Sequence, residues 1–208
     1  MSTPLVLACG ALAGELRAVL AANGLTDSVE VRYLPANLHN RPDGIVPALR
    51  ALLDECGATT ADPERPVLIG YSDCGTGGHL DALIDELPHL RRLPGAHCYE
   101  MFAGADVFAA LHDGEPGTFY LTDFLARHFD ALVWQGLGLD RYPQLRDDYF
   151  GNYTRLVLLS QSADPLVTEL AAQAAAQLGL TFSHIHTGRT GLGDAVLVTI
   201  GKATSHGA

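Results

Sequence analysis

The residues in this 208-residue chain whose types could do chemistry are its cysteines, its histidines and one glycine-rich segment, Asp73-Cys74-Gly75-Thr76-Gly77-Gly78. Cys9 closes a short apolar run, Leu5 to Ala8, and Cys74 follows another, Val67 to Tyr71. Cys98 lies in a candidate fourth strand, around Ala96 to Tyr99. Parallel sheets bind ligands beyond the carboxyl ends of their strands, so all three thiols are expected on one rim. Three thiolates suit a soft metal: zinc with an open fourth position, or an iron–sulfur cluster with one exchangeable iron. None of the three belongs to a CxxC pair, so spacing alone leaves open a set of ordinary core cysteines. Cys56, beside Gly57 at a helix end, reads as a packing thiol, the usual behaviour of free cysteine.

Gly75, Gly77 and Gly78 let backbone approach a ligand closely, and amides at the start of the next helix can hold an anion or lower a thiol pKa. The loop is not GxGxxG and lacks the lysine of a phosphate loop, so its residues do not specify a nucleotide. Asp73 and Glu100 are the carboxylates placed to take part in catalysis. Thr76, His39, Arg41 and His97 are candidate polar contacts; the His39 loop, Leu38-His-Asn-Arg-Pro42, follows the second strand and offers an imidazole and a guanidinium to a carboxylate. His97 and Cys98, as strand neighbours, would point to opposite faces unless the strand has already ended. His184 and His186, two apart, share a strand face, which suits either a metal or plain solvation. Asp123, Asp130, Asp147 and Asp148 read as helix-surface charge.

Positioning these groups requires alternating strands and helices. Strands are expected at 5–8, 29–34, 67–71, 96–99, 155–159, 181–186 and 195–200. Helices are expected at 11–22, 43–56, 79–87, 100–112, 119–134 and 165–178. Asn23-Gly24 and Gly179 supply helix stops, and Asp164-Pro165 supplies an N-cap with proline at the first helical position. A polar surface loop is expected over 58–66. No repeat or linker interrupts the alternation, which predicts one α/β domain over 1–208 with a doubly wound, largely parallel sheet flanked by helices.

A formal net charge of −11, with no basic stripe, would repel a phosphate backbone and argues against a nucleic-acid partner. No apolar stretch approaches the roughly 20 residues of a membrane span. The first residues lack the basic region of a signal peptide, so a cytoplasmic protein with reduced thiols is expected.

Several segments, taken in order, resemble the domain-of-unknown-function family number sixteen thirty-eight. They are Leu7-Ala-Cys-Gly-Ala11, Leu38-His-Asn-Arg-Pro42, Gly70-Tyr-Ser-Asp-Cys-Gly-Thr-Gly-Gly78, Leu93-Pro-Gly-Ala-His-Cys-Tyr-Glu100, Glu115-Pro-Gly-Thr-Phe-Tyr-Leu-Thr122, Trp134-Gln-Gly-Leu-Gly-Leu-Asp140 and Tyr149-Phe-Gly-Asn-Tyr153. Cys9, Cys74 and Cys98 fall inside these motifs and Cys56 does not, which favours a shared thiolate site. Thr76 stands where some similar proteins carry Asn. The resemblance implies a link to corrinoid-dependent methyl transfer, for methylated amines or methionine synthesis, with a small-molecule substrate or a corrinoid protein as partner. Zinc would suit thiol activation for methyl transfer, and a cluster would suit reactivation of an oxidised corrinoid. Two other readings remain open at this point: a non-catalytic protein that docks a corrinoid protein or hands over a ligand, and a metal-free enzyme with two facing thiols as acid and base.

Overall fold

Leu5-Val-Leu-Ala-Cys9 forms β1, and four of its five residues are buried, as in a strand covered on both faces. The computed structural model describes residues 2–59 and 65–204, with side chains as far as 200. The expected surface loop over 58–66 thus lies largely outside the described residues.

The chain divides into two compact units, 1–101 with 189–208, and 102–188. In the first, β1 (Leu5–Cys9), α1 (Ala13–Ala22), β2 (Glu30–Leu34), α2 (Ile45–Glu55), β3 (Val67–Gly70), α3 (His79–Glu86) and β4 (Leu90–Arg92) follow in order. Next comes α4 (Cys98–Ala103), whose last residues, like α5 (Ala105–Gly114), belong to the second unit. That unit continues with β5 (Thr118–Leu121), α6 (Asp123–Arg127), a π-helical turn at Asp130–Trp134, α7 (Leu145–Phe150), β6 (Arg155–Ser160), α8 (Pro165–Leu178) and β7 (Thr181–His186). Finally α9 (Thr190–Thr204) returns to the first unit.

The α/β class with parallel strands is as the sequence predicts, but the strands divide between two sheets. The first has the order β2-β1-β3-β4 and the second β5-β6-β7, with every pairing parallel. Because side chains alternate across a strand, Leu5 and Leu7 of β1 share a face with Val67 and Ile69 of β3. That face packs on Ile45, Leu49 and Leu53 of α2 and on Leu80 and Leu83 of α3. Val6, Ala8, Leu68 and Gly70 point the other way, toward the side covered by α1 and α9, which pack on each other. A Cβ at Gly70 would lie 2.7 Å from the Ala8 Cβ, so the close approach of β3 to β1 needs glycine there.

Four sequence expectations are corrected. The fourth strand is Leu90–Arg92, not 96–99: Leu90 and Leu93 are wholly buried, and Pro94-Gly95 turns the chain before Cys98 opens a helix. The expected helix over 119–134 begins as β5, because its continuous apolar run is a buried strand that ends where Thr122 caps α6. The expected strand over 195–200 lies within α9, where Leu192, Val196 and Ile200, four residues apart, are the buried positions. The expected helix 100–112 is also divided, with Gly104 (φ 84°) separating α4 from α5. The caps hold: Asp164 accepts from the Leu166 N–H at 2.9 Å, and Gly179 ends α8 in the left-handed conformation. Among the described residues no helix is long and apolar enough to cross a membrane.

Candidate functional site

In the order β2-β1-β3-β4 the chain moves outward from β1 in one direction and from β3 in the other. The carboxyl ends of β1 and β3 therefore flank the crevice where open parallel sheets receive ligands. Cys9 is the last residue of β1, and Cys74 stands four residues beyond the end of β3.

The loop after β3 is fastened to the segment after β4. Leu93 N–H donates to the carbonyls of Ile69 (3.2 Å) and Tyr71 (3.0 Å), Asp73 N–H to Gly95 (3.2 Å) and Cys74 N–H to Ala96 (2.7 Å). The buried Ser72 hydroxyl donates to the Pro94 carbonyl at 2.7 Å. This stitching brings Cys74 to the start of α4, where the Cys98 N–H faces the Cys74 sulfur. Cys74 is the one non-glycine among the described residues with a left-handed backbone, at φ 52°.

The three thiols form one electrostatic group. Desolvation pushes Cys74 up to about 11, with the Cys9 thiol the next largest cause. Cys98 is raised further, by burial and then by Cys74 and Cys9, and Cys9 is raised by burial. Each sulfur also has a backbone N–H that favours its ionised form: Ala11 for Cys9, Ser72 and Cys98 for Cys74, and Cys98 and Tyr99 for Cys98. Without a cation, burial prevails and the thiols are protonated at pH 7.

Sequence reasoning missed Tyr71. Its residue is 2% exposed, its hydroxyl has no nitrogen or oxygen partner, and it lies against the Cys9 thiol. Burial, with Cys9 next, raises its pKa far above the ordinary phenol value, so the hydroxyl stays a donor. The alternation Val67, Ile69, Tyr71 beside Leu5, Leu7, Cys9 would have placed it on the cysteine's face. Arg92 was missed too. It holds Asp81 with two hydrogen bonds, 2.6 and 3.1 Å, donates to the carbonyls of Leu93 and Gly95, and lies close enough to Asp73 to feel its charge.

The two candidate carboxylates brace loops. Asp73 accepts from the Thr76 hydroxyl at 2.6 Å and the Gly78 N–H at 3.1 Å, and these bonds, the Thr76 one foremost, hold its pKa below the usual carboxylate range. Glu100 accepts from the Ala96 N–H at 2.9 Å and packs where a Cβ on Gly95 would otherwise sit. Thr76 is buried, while Gly75, Gly77 and Gly78 are exposed and all have positive φ. Gly75 rests against Pro42, which brings the His39–Arg41 turn beside the glycine loop. His39 and Arg41 are exposed, although the protein around His39 still disfavours its charged form. His97 lies just before α4, not in a strand, and packs its ring 5.2 Å from that of Tyr99. Cys56 follows α2 and packs against the core of the first sheet, as expected of a packing thiol.

As a donor set, three sulfurs with N–H groups directed at them suit a thiophilic metal. Among the described residues, however, no group of three or more His, Cys, Asp or Glu is arranged to hold a metal ion.

In the second unit Asp123 is only 4% exposed, which corrects its reading as surface charge. Its carboxylate accepts from the N–H groups of Gln161 and Ser162, each at 2.9 Å, and from the Ser162 hydroxyl. The Gln161 side chain in return accepts from the Asp123 N–H at 3.0 Å. These bonds tie the end of β5 to the end of β6.

Fold and site together define a parallel α/β protein with a three-thiol group at a strand-switch crevice. Residues 33–196 match the family described as protein of unknown function (DUF1638), and the chain belongs to that family. No curated protein and no solved structure matches it.

Proposed function

We propose that Cys9, Cys74 and Cys98 form a thiolate centre for zinc or an iron–sulfur cluster, and that the protein acts in or supports corrinoid-linked methyl-group transfer in the cytoplasm. The observation that carries the centre is the grouping of three half-buried thiols at the β1/β3 crevice, each facing a backbone N–H. The corrinoid link rests on the family resemblance. Zinc bound there would supply Lewis-acid activation of a substrate thiol, and a cluster would supply low-potential electrons.

The chain's own residues do the rest. The backbone N–H groups of Ala11, Ser72, Cys98 and Tyr99 favour sulfur anions once a cation offsets their burial. Tyr71 offers its hydroxyl proton to Cys9. Asp73 and Glu100 hold the two loops in register, and Gly77 and Gly78, with open space where a Cβ would stand, leave room for a small substrate or the edge of a corrinoid protein. The exposed His39 and Arg41 are within reach of its polar groups, with His97 the third candidate contact.

The test is purification without air, with a visible spectrum and zinc and iron counted per chain. About one zinc, or several irons with broad visible absorption, is expected in the wild type, and Cys74→Ser should lose the metal while keeping its far-ultraviolet circular dichroism. A folded wild-type protein without metal, or unchanged metal content in Cys74→Ser, would overturn the reading.

A further inference from the structure

A second group of donors stands at the carboxyl end of the other sheet. Ser160 ends the central strand β6 and pairs in register with His186 of β7, while Leu158 pairs with His184. Two residues apart on one strand, the two histidines share a face. His184 Nε2 lies 2.8 Å and His186 Nδ1 3.0 Å from the same Ser160 hydroxyl. The serine is 1% exposed and both histidines are exposed. Its backbone is held as well: the Ser160 carbonyl accepts from the N–H groups of Thr187 (2.9 Å) and Gly188 (3.2 Å) and from the Thr187 hydroxyl (3.1 Å).

One imidazole is enough to satisfy a buried serine hydroxyl. The second is surplus to that need, and the outcome is two ring nitrogens aimed at one point from the solvent side. The single Ser160 hydroxyl proton can go to one of them, so without an ion the other ring donates its N–H to the serine oxygen. Because a neutral imidazole can carry its proton on either nitrogen, that proton can shift to the far nitrogen and leave both His184 Nε2 and His186 Nδ1 bare toward an ion. Paired imidazole lone pairs select borderline divalent ions over hard ones, and a net charge of −11 favours the approach of any cation.

We propose that His184 and His186, with the Ser160 hydroxyl between them, bind a divalent transition-metal ion of the zinc, nickel and cobalt class. Water completes the coordination, so the ion keeps open positions. This site uses no sulfur and stands apart from the thiol reading.

Cobalt(II) is the probe, titrated into the reduced full-length protein under nitrogen and followed by absorption. The expected result is binding with weak visible bands and without intense near-ultraviolet thiolate-to-cobalt absorption. Affinity should fall at least roughly tenfold in each of His184→Gln and His186→Gln. Both histidines are exposed, so these variants should keep the fold, checked by circular dichroism. Ser160→Ala, which leaves both imidazoles, should retain cobalt binding. Three results would each overturn the proposal: no cobalt bound, cobalt bound only with the thiolate band, or affinity unchanged in both histidine variants. A thiolate band that persists in the histidine variants would report on the cysteine centre alone, so the two readings fail separately.

Discussion

Cys74 holds a left-handed backbone, which costs an L-residue with a Cβ about 1–2 kcal/mol and costs glycine almost nothing. Cys74→Gly should therefore be more stable than Cys74→Ala by about 1 kcal/mol in denaturant unfolding, although both lose the sulfur. The same residue predicts a pH dependence for the reduced, metal-free protein. Its pKa rises from 9.0 to about 11 on folding, so the unfolded chain ionises first. Stability should be full below pH 9.0 and fall as pH rises toward 11, and Cys74→Ala should flatten that decline in chemical unfolding measured across the range. The grouping of Cys9 with Cys74 was legible in the sequence because strand ends and turn glycines are local signals. Cys98 was assigned to the right rim for the wrong local reason, as a strand residue where it opens a helix. Tyr71 was missed because a lone aromatic at a strand end looks like core until register places it beside a thiol.

At the scale of elements, the two sheets rely on opposite devices. The first brings β3 against β1 through the absence of a side chain. Gly70→Ala should cost about 1–3 kcal/mol by overpacking against Ala8, read as a lowered unfolding midpoint. The second ties strand ends with a buried carboxylate. Asp123→Ala should cost about 3 kcal/mol, because the Gln161 and Ser162 N–H groups lose their acceptor, and their amide exchange should quicken most. Elements with caps were legible: Asp164-Pro165 and Gly179 bracket α8 through short-range chemistry. Elements whose identity depends on burial were not. Phe119-Tyr-Leu121 reads equally as helix or strand until its partner is known. The β-branched Val196, Val198, Thr199 and Ile200 favour a strand by propensity, yet Leu192, Val196 and Ile200 are buried along one side of a helix, so tertiary packing overrides local preference.

At the scale of the whole molecule, the first unit is discontinuous in sequence and the second is not. A chain ending at residue 188 would lack the buried Leu192, Val196 and Ile200. Each such side chain contributes about 1.5–3 kcal/mol when buried, so the truncated protein should lose exchange protection in β1 and β3 and retain it in β5 and β6. The same discontinuity orders events on the ribosome. Cys9, Cys74 and Cys98 are all translated before the second unit begins, yet the sheet whose rim they occupy gains its last covering helix only when residues 189–204 emerge. Throughout that interval the nascent thiols meet the solvent without a finished core behind them. Whether all three thiols reach the folded protein unoxidised is thus decided before synthesis ends, by the reductants that the unfinished chain meets.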